Sequence, residues 1–294
     1  KRLIRTDYES ILESPYLVRE LKGAKKILKA LEKRNAEPTI HALFRKISEY
    51  GPSSEQPSIL SRIWRHENCV RILSALGLRY IYPEVMNESF FVTIVYGYAP
   101  NLESLGQLVD RFRMDLDAFV KSNTMRGRGL VMAGAFEPDL RSYEELTSKK
   151  SDLVKMSRDL GWVIQDHGGW VLSGHFVGRG CFHDELKNRL GEVFPSRGSK
   201  RVRFDILSRK KDLYQSIMDL IGYFCKFTGP MFDAGKNKEP ANRLLRTVQS
   251  AFIGPNLKSP KAFDDDFDQD AAIRQWALFI DDLGPDRLFY SIEN

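Results

Sequence analysis

The chain of 294 residues is 42% hydrophobic with a net charge of +6, enough apolar content for a sizeable core and a charge compatible with a polyanionic partner. No apolar run approaches the roughly 20 residues of a membrane helix, and the opening KRLIRTDYES lacks the apolar stretch of a secretory signal. Cys69, Cys181 and Cys225 show no CxxC spacing, which argues against a disulfide framework or a cysteine-based zinc site and points to a reducing cytoplasm.

From Asp7 to about Leu78 the pattern is helical, with apolar residues at three- and four-residue intervals in YLVRELKGAKKILKALEKR and again in PSILSRIWRHENCVRILSALGL. The β-branched and aromatic run in NESFFVTIVYGYAP predicts a strand over Ser89 to Tyr98. Helical spacing returns through Leu102, Leu105, Leu108, Phe112, Leu116 and Phe119, with Asn101 as N-cap. GRGLVMAGAFEPDL predicts a strand that ends at Glu137 and Pro138, and Tyr143 to Leu160 predicts a polar helix. GWVIQDHGGWVLSGHFVG reads as a hairpin, Trp162–Gln165 and Trp170–Gly178 around a turn at Asp166–Gly169. FHDELKNRLGEVF is a short helix, KRVRFDILS a strand, KDLYQSIMDLIGYFCKF a helix, and a last helix lies around Trp276.

The alternation predicts an α+β fold, a central antiparallel sheet with packed helices, flanked by N-terminal and C-terminal helical segments. Its expected divisions are a helical N-terminal region over 1–86, a sheet domain over 87–230 and a helical C-terminal extension over 231–294.

No GxxxxGK(S/T) loop and no GxGxxG occurs, so the usual signals of ATPases and dinucleotide enzymes are missing. DDDFDQDAAIRQ starts like a calcium loop, but Gln269 replaces the turn glycine and Gln275 the final glutamate, which leaves a solvated acidic loop. Strand alternation puts Val131, Ala133, Ala135 and Glu137 on one face, and Val171, Ser173, His175 and Val177 on one face of the next long strand. His175 is thereby expected to meet Glu137 from an adjacent strand, a donor set suited to a divalent ion with open positions. His167 and Asp139 are further candidate ligands. Tyr223 and Lys226, three apart on a predicted helix, can address one phosphate. Arg179, Arg197, Lys200, Arg201, Arg203, Arg209, Lys210 and Lys211 form a local excess of cations suited to backbone phosphates.

In order and spacing, the stretches FFVTIVYGY, GLVMAGAFE, WVLSGHFVG, KRVRFDIL and YFCKF resemble the HUH endonucleases, in particular the rolling-circle replication initiators (Rep), over roughly Ser89 to Gly229. The resemblance implies a Rep-like sheet domain that binds single-stranded or hairpin DNA and nicks and rejoins it. His175 and Glu137 would hold Mg²⁺ or Mn²⁺, Tyr223 would attack to leave a 5′-phosphotyrosine, and Lys226 would help orient metal or phosphate. The family has two histidines flanking one hydrophobic residue, whereas this chain has Ser173-Gly174-His175 or His175-Phe176-Val177. Two other readings stand beside this one. A non-catalytic DNA binder would keep the sheet and basic surface, and SGH also looks like the serine-x-histidine motif of archaeo-eukaryotic primases. Primases need paired carboxylates on a strand, and here only MDLDAF has that spacing, in a helical context.

Overall fold

A computed structural model of the chain describes residues 4–5, 15–34, 36–48, 58–61, 64–65, 67–69, 72, 76, 80–81, 89–122, 129–148, 152–166, 168–180, 182–207, 220 and 269–293. Strands β1 (Ile4–Arg5) and β2 (Tyr80–Ile81) form a small antiparallel pair, and helices α1 (Pro15–Glu32) and α2 (Pro38–Ser48) lie between them in sequence. The main sheet is built from β3 (Ser89–Ala99), β4 (Val131–Arg141), β5 (Gly169–Arg179), β6 (Val202–Ile206) and β7 (Phe289–Glu293). Its order is β6-β3-β5-β4-β7 and every neighbouring pair is antiparallel. The expected α+β class, with a central antiparallel sheet and packed helices, is what the chain forms.

The connections follow from that order. Helix α3 (Leu102–Lys121) links β3 to β4, which are parallel to one another with β5 between them. Helix α6 (His183–Val193) links β5 to β6, again parallel, with β3 between them. Two interleaved split β-α-β units therefore make up the sheet's first four strands, the β-α-β-β-α-β arrangement known as ferredoxin-like.

One face of the sheet is aromatic. Asn101 caps α3 as expected, accepting from the Ser104 amide at 2.8 Å, and the helix buries Leu105, Val109, Phe112, Leu116 and Phe119. Phe112 stacks on Tyr96 of β3 at 4.3 Å and tilts against Phe136 of β4 at 4.9 Å, while Phe176 of β5 meets Phe136 edge-on at 5.8 Å. Gly134 and Gly174 are needed here. A Cβ on Gly134 would stand 1.9 Å from the His175 carbonyl oxygen, and one on Gly174 would stand 2.4 Å from the Phe176 ring.

Three local expectations change. Strand β4 does not end at Glu137 but runs through Pro138 to Arg141. Its partner β7 reaches only from Val131 to Ala135, so among the described residues β4 has β5 on one side alone beyond that point, where a strand tolerates a proline. Trp162–Gln165 is not a strand, because both edges of β5 are taken by β3 and β4. That segment is held instead by Tyr98, whose ring stacks on Trp162 at 6.0 Å and whose hydroxyl donates to the Gly168 carbonyl and accepts from the Gln165 amide. The polar helix over Tyr143–Leu160 is two helices, α4 (Tyr143–Thr147) and α5 (Asp152–Asp159). Ser142 and Glu145 form a capping box that starts α4.

At the C-terminus, α7 (Gln269–Leu288) bends at Gly284, where φ is 64°, before Pro285. The residues after it form β7, the fifth strand of the sheet. Trp276 of α7 stacks on Trp170 of β5 at 4.7 Å, Arg274 donates to the Ala30 carbonyl of α1, and Arg287 pairs with Asp110 of α3 at 2.6 Å. The buried side chains of α1, α2, α3, α7 and the sheet form one continuous apolar cluster. Among the described residues no helix is long and apolar enough to cross a membrane.

Candidate functional site: a histidine-carboxylate pair on the central strand

The face of the sheet opposite α3 carries the polar groups. Strand register sets Arg203, Thr93, His175, Ala135 and Phe289 in one row across all five strands. Glu137 is opposite Ser173, one step diagonal from His175. Because side chains alternate along a strand, Thr93, Ser173, His175 and Glu137 all project to this same side. Diagonal neighbours on adjacent strands are within reach of long side chains, and His175 Nε2 stands 2.9 Å from Glu137 Oε2. The meeting of these two residues expected from the alternation is thus formed.

The second ring nitrogen is also engaged. Thr93 Oγ1 lies 3.0 Å from His175 Nδ1, and the Phe91 ring runs parallel to the imidazole, with centroids 6.2 Å apart. His175 is only 5% exposed, whereas the Glu137 side chain keeps 22% of its surface open. The chain Thr93-His175-Glu137 therefore crosses the three central strands, buried at its imidazole and partly exposed at both ends. Sequence reading missed Thr93 and Phe91. The available signal was a single hydroxyl in the apolar run FFVTIV, alternating with Phe91 and Val95.

An imidazole and a carboxylate suit a divalent ion that retains open positions. Adjacent corners of an octahedral ion with bonds near 2.1 Å are ~3.0 Å apart, so the 2.9 Å separation matches two ligands of one Mg²⁺-sized ion as well as a direct hydrogen bond. Among the described residues no group of three or more His, Cys, Asp or Glu side chains gathers to hold a metal. Asp139 does share the face of Glu137, but its carboxylate pairs with Arg141, which also reaches Glu145 at 3.1 Å. Burial pushes the Asp139 carboxyl above the ordinary range, Arg141 opposes that, and the charge of Glu137 adds to it. The other proposed ligand, His167, lies outside the described residues, as do Tyr223, Lys226, Arg209, Lys210 and Lys211.

The remaining cations divide by what they touch. The Arg203 side chain is 71% exposed in the row of His175 and donates from Nε to Asp205 on its own strand, at 2.8 Å. Arg197 and Lys200 are exposed on the connection between α6 and β6. Arg179 is at the far end of β5, four residues and roughly 13 Å from His175. Arg201 does something different: its guanidinium donates to the carbonyls of Val95, Tyr96 and Pro195 and lies over the Tyr96 and Phe194 rings. It ties the α6–β6 connection to the irregularity in β3 between Val95 and Gly97.

Asp115 and Asp117 of MDLDAF, the carboxylate pair a primase reading would need, are on α3 at the aromatic face. Asp115 accepts from Tyr96 at 2.6 Å and Asp117 from Tyr290 at 2.9 Å. The sheet separates them from His175. No family model, curated protein or solved structure matches the chain.

Proposed function

We propose that the chain is a DNA-binding replication initiator of the HUH type, a site-specific endonuclease that nicks and rejoins single-stranded or hairpin DNA. One observation carries this reading: His175 and Glu137, from neighbouring central strands, meet at 2.9 Å on the face of the sheet opposite α3. Mg²⁺ or Mn²⁺ bound by this pair would supply polarisation of a scissile phosphate. The chain's own residues do the rest. Glu137 presents the partly open carboxylate, His175 is held edge-on by Thr93, and Arg203 offers a solvent-facing cation in the same row for backbone phosphate. Tyr223 would attack phosphorus, forming the tyrosyl ester as the 3′-oxygen leaves with a proton, and Lys226 would offset the developing charge. Their assignment rests on the Tyr-x-x-Lys spacing.

The test is incubation with single-stranded oligonucleotides and Mn²⁺, read as a protein-DNA adduct that survives denaturation. Adduct in the wild type and none in Tyr223→Phe supports the reading; nicking that persists in Tyr223→Phe removes the tyrosine mechanism. A second reading rests on the single histidine of Ser173-Gly174-His175-Phe176-Val177, where the family has two: a DNA binder that no longer cleaves. Retained oligonucleotide binding without any adduct in the wild type would select it.

A further inference from the structure

We infer that Thr93 is a positioning residue that lets His175 exchange the proton on Nε2 for a cation. The inference rests on the Glu137–His175 pair proposed above as the cation site, but its geometry is independent of any nuclease chemistry. Thr93 sits directly opposite His175 across the β3–β5 ladder, with Oγ1 3.0 Å from Nδ1. A carboxylate accepts hydrogen bonds and does not donate, so in the neutral ring Nε2, 2.9 Å from Glu137 Oε2, carries the single proton. Nδ1 is then a lone pair, and the Thr93 hydroxyl donates to it.

A cation shared by Glu137 and His175 needs the opposite arrangement. Nε2 must present its lone pair, and the single proton of the neutral ring must sit on Nδ1. A hydroxyl can rotate and accept that proton's hydrogen bond, because it is both donor and acceptor. The proton thereby moves from one ring nitrogen to the other, through exchange with water, with no net loss from the imidazole. Neither a methyl group, which offers nothing, nor an ammonium group, which only donates, can serve both states. Among the described residues Thr93 stands at hydrogen-bond distance from Nδ1, on a ring that is 5% exposed and stacked beside Phe91.

The experiment compares wild type, Thr93→Ser and Thr93→Val, the last nearly isosteric with threonine, by two measurements. Nitrogen-15 spectra of the histidine rings in metal-free protein, with His175→Gln used to assign the resonance, report the hydrogen bond itself. The His175 Nδ1 resonance is expected to move toward that of an unbonded lone-pair nitrogen in Thr93→Val and to stay in place in Thr93→Ser. Mn²⁺ titration is expected to show affinity about tenfold weaker in Thr93→Val and within about twofold of wild type in Thr93→Ser, the scale of losing a partner of a metal-bound histidine. An unshifted resonance in Thr93→Val overturns the inference. So does Mn²⁺ affinity equal to wild type in that variant, or lost equally in Thr93→Ser. If the wild type binds no Mn²⁺, the cation reading fails and the exchange with it, while a shifted Nδ1 resonance would still place Thr93 as the orienting partner.

Discussion

Glu137 and Ser173 are direct cross-strand partners, so the side chain two residues before His175 stands against the very carboxylate that His175 meets. In the resemblance to the HUH endonucleases, position 173 is one of the two places, with position 177, where a second motif histidine would fall. Ser173 shares the face of His175 and is only partly buried, whereas Gly174 points into the aromatic layer. Ser173→His therefore adds an imidazole beside Glu137 without entering the core. Mn²⁺ affinity measured by titration is expected to rise about tenfold, equivalent to ~1.4 kcal/mol. Unchanged affinity would show that position 173 does not reach the ion.

Gly134 and Gly174 are packed too tightly for any side chain. Alanine at Gly134 drives its methyl into backbone of β5, and at Gly174 into the Phe176 and Phe112 rings. Overpacking of this kind costs about 1–3 kcal/mol. Thermal unfolding of Gly134→Ala should show the larger loss, because a backbone carbonyl cannot rotate away as a ring can. Equal melting temperatures for both variants and the wild type would contradict the packing described.

Arg201 and Arg203, two residues apart, are expected to respond in opposite ways. Arg201→Ala should lower the unfolding midpoint, since it strips donors from three carbonyls, and should do so without first changing the salt dependence of DNA binding. Arg203→Ala should leave stability within about 0.5 kcal/mol, as an exposed ion pair contributes little. It should weaken oligonucleotide binding and lower the salt slope by about 1. Filter-binding across a salt series and urea melts together check both halves.

Tyr96 and Tyr290 set an alkaline limit. Burial first, then the hydrogen bonds to Asp115 and Asp117, raise both phenols well above their ordinary pKa of 10.0. A folded-state pKa above the unfolded value means the contribution is complete below pH 10 and is lost as pH rises through the folded value. Urea midpoints should therefore fall from pH 9 to pH 11 in the wild type, and fall less steeply in Tyr96→Phe/Tyr290→Phe. An identical decline in the double variant would remove these two groups as its cause.

The pairing of His175 with Glu137 was readable because two long strands alternate cleanly and both residues lie on the side away from Phe136 and Phe176. Thr93 was not, because nothing in FFVTIV states which strand will lie beside it; the β3–β5 adjacency comes from interleaving the two split β-α-β units. Tertiary pairing likewise overrode the apparent hairpin at Trp162–Gln165, because both edges of β5, the strand it would have paired with, are taken by β3 and β4. Pro138 reads as a strand end, yet a stretch of β4 that is one-sided among the described residues carries it and thereby puts Asp139 and Arg141 on the face of Glu137. Strand β7 was hidden by its brevity, five residues after a Gly-Pro bend that closes a helical pattern. The cations were legible only as a cluster, and their division into the carbonyl-bound Arg201 and the open Arg203 depends on the β3 irregularity.

The central claim is that Glu137 and His175 act as one unit on a DNA phosphate. Mn²⁺-dependent cleavage of a single-stranded oligonucleotide, measured for Glu137→Gln, His175→Gln and the double variant at matched thermal stability, tests it most directly. Residues that act as a unit are non-additive. Each single change is expected to abolish cleavage to the level of the double variant, while DNA binding persists. Cleavage retained in the double variant, or losses that simply multiply, would contradict the account.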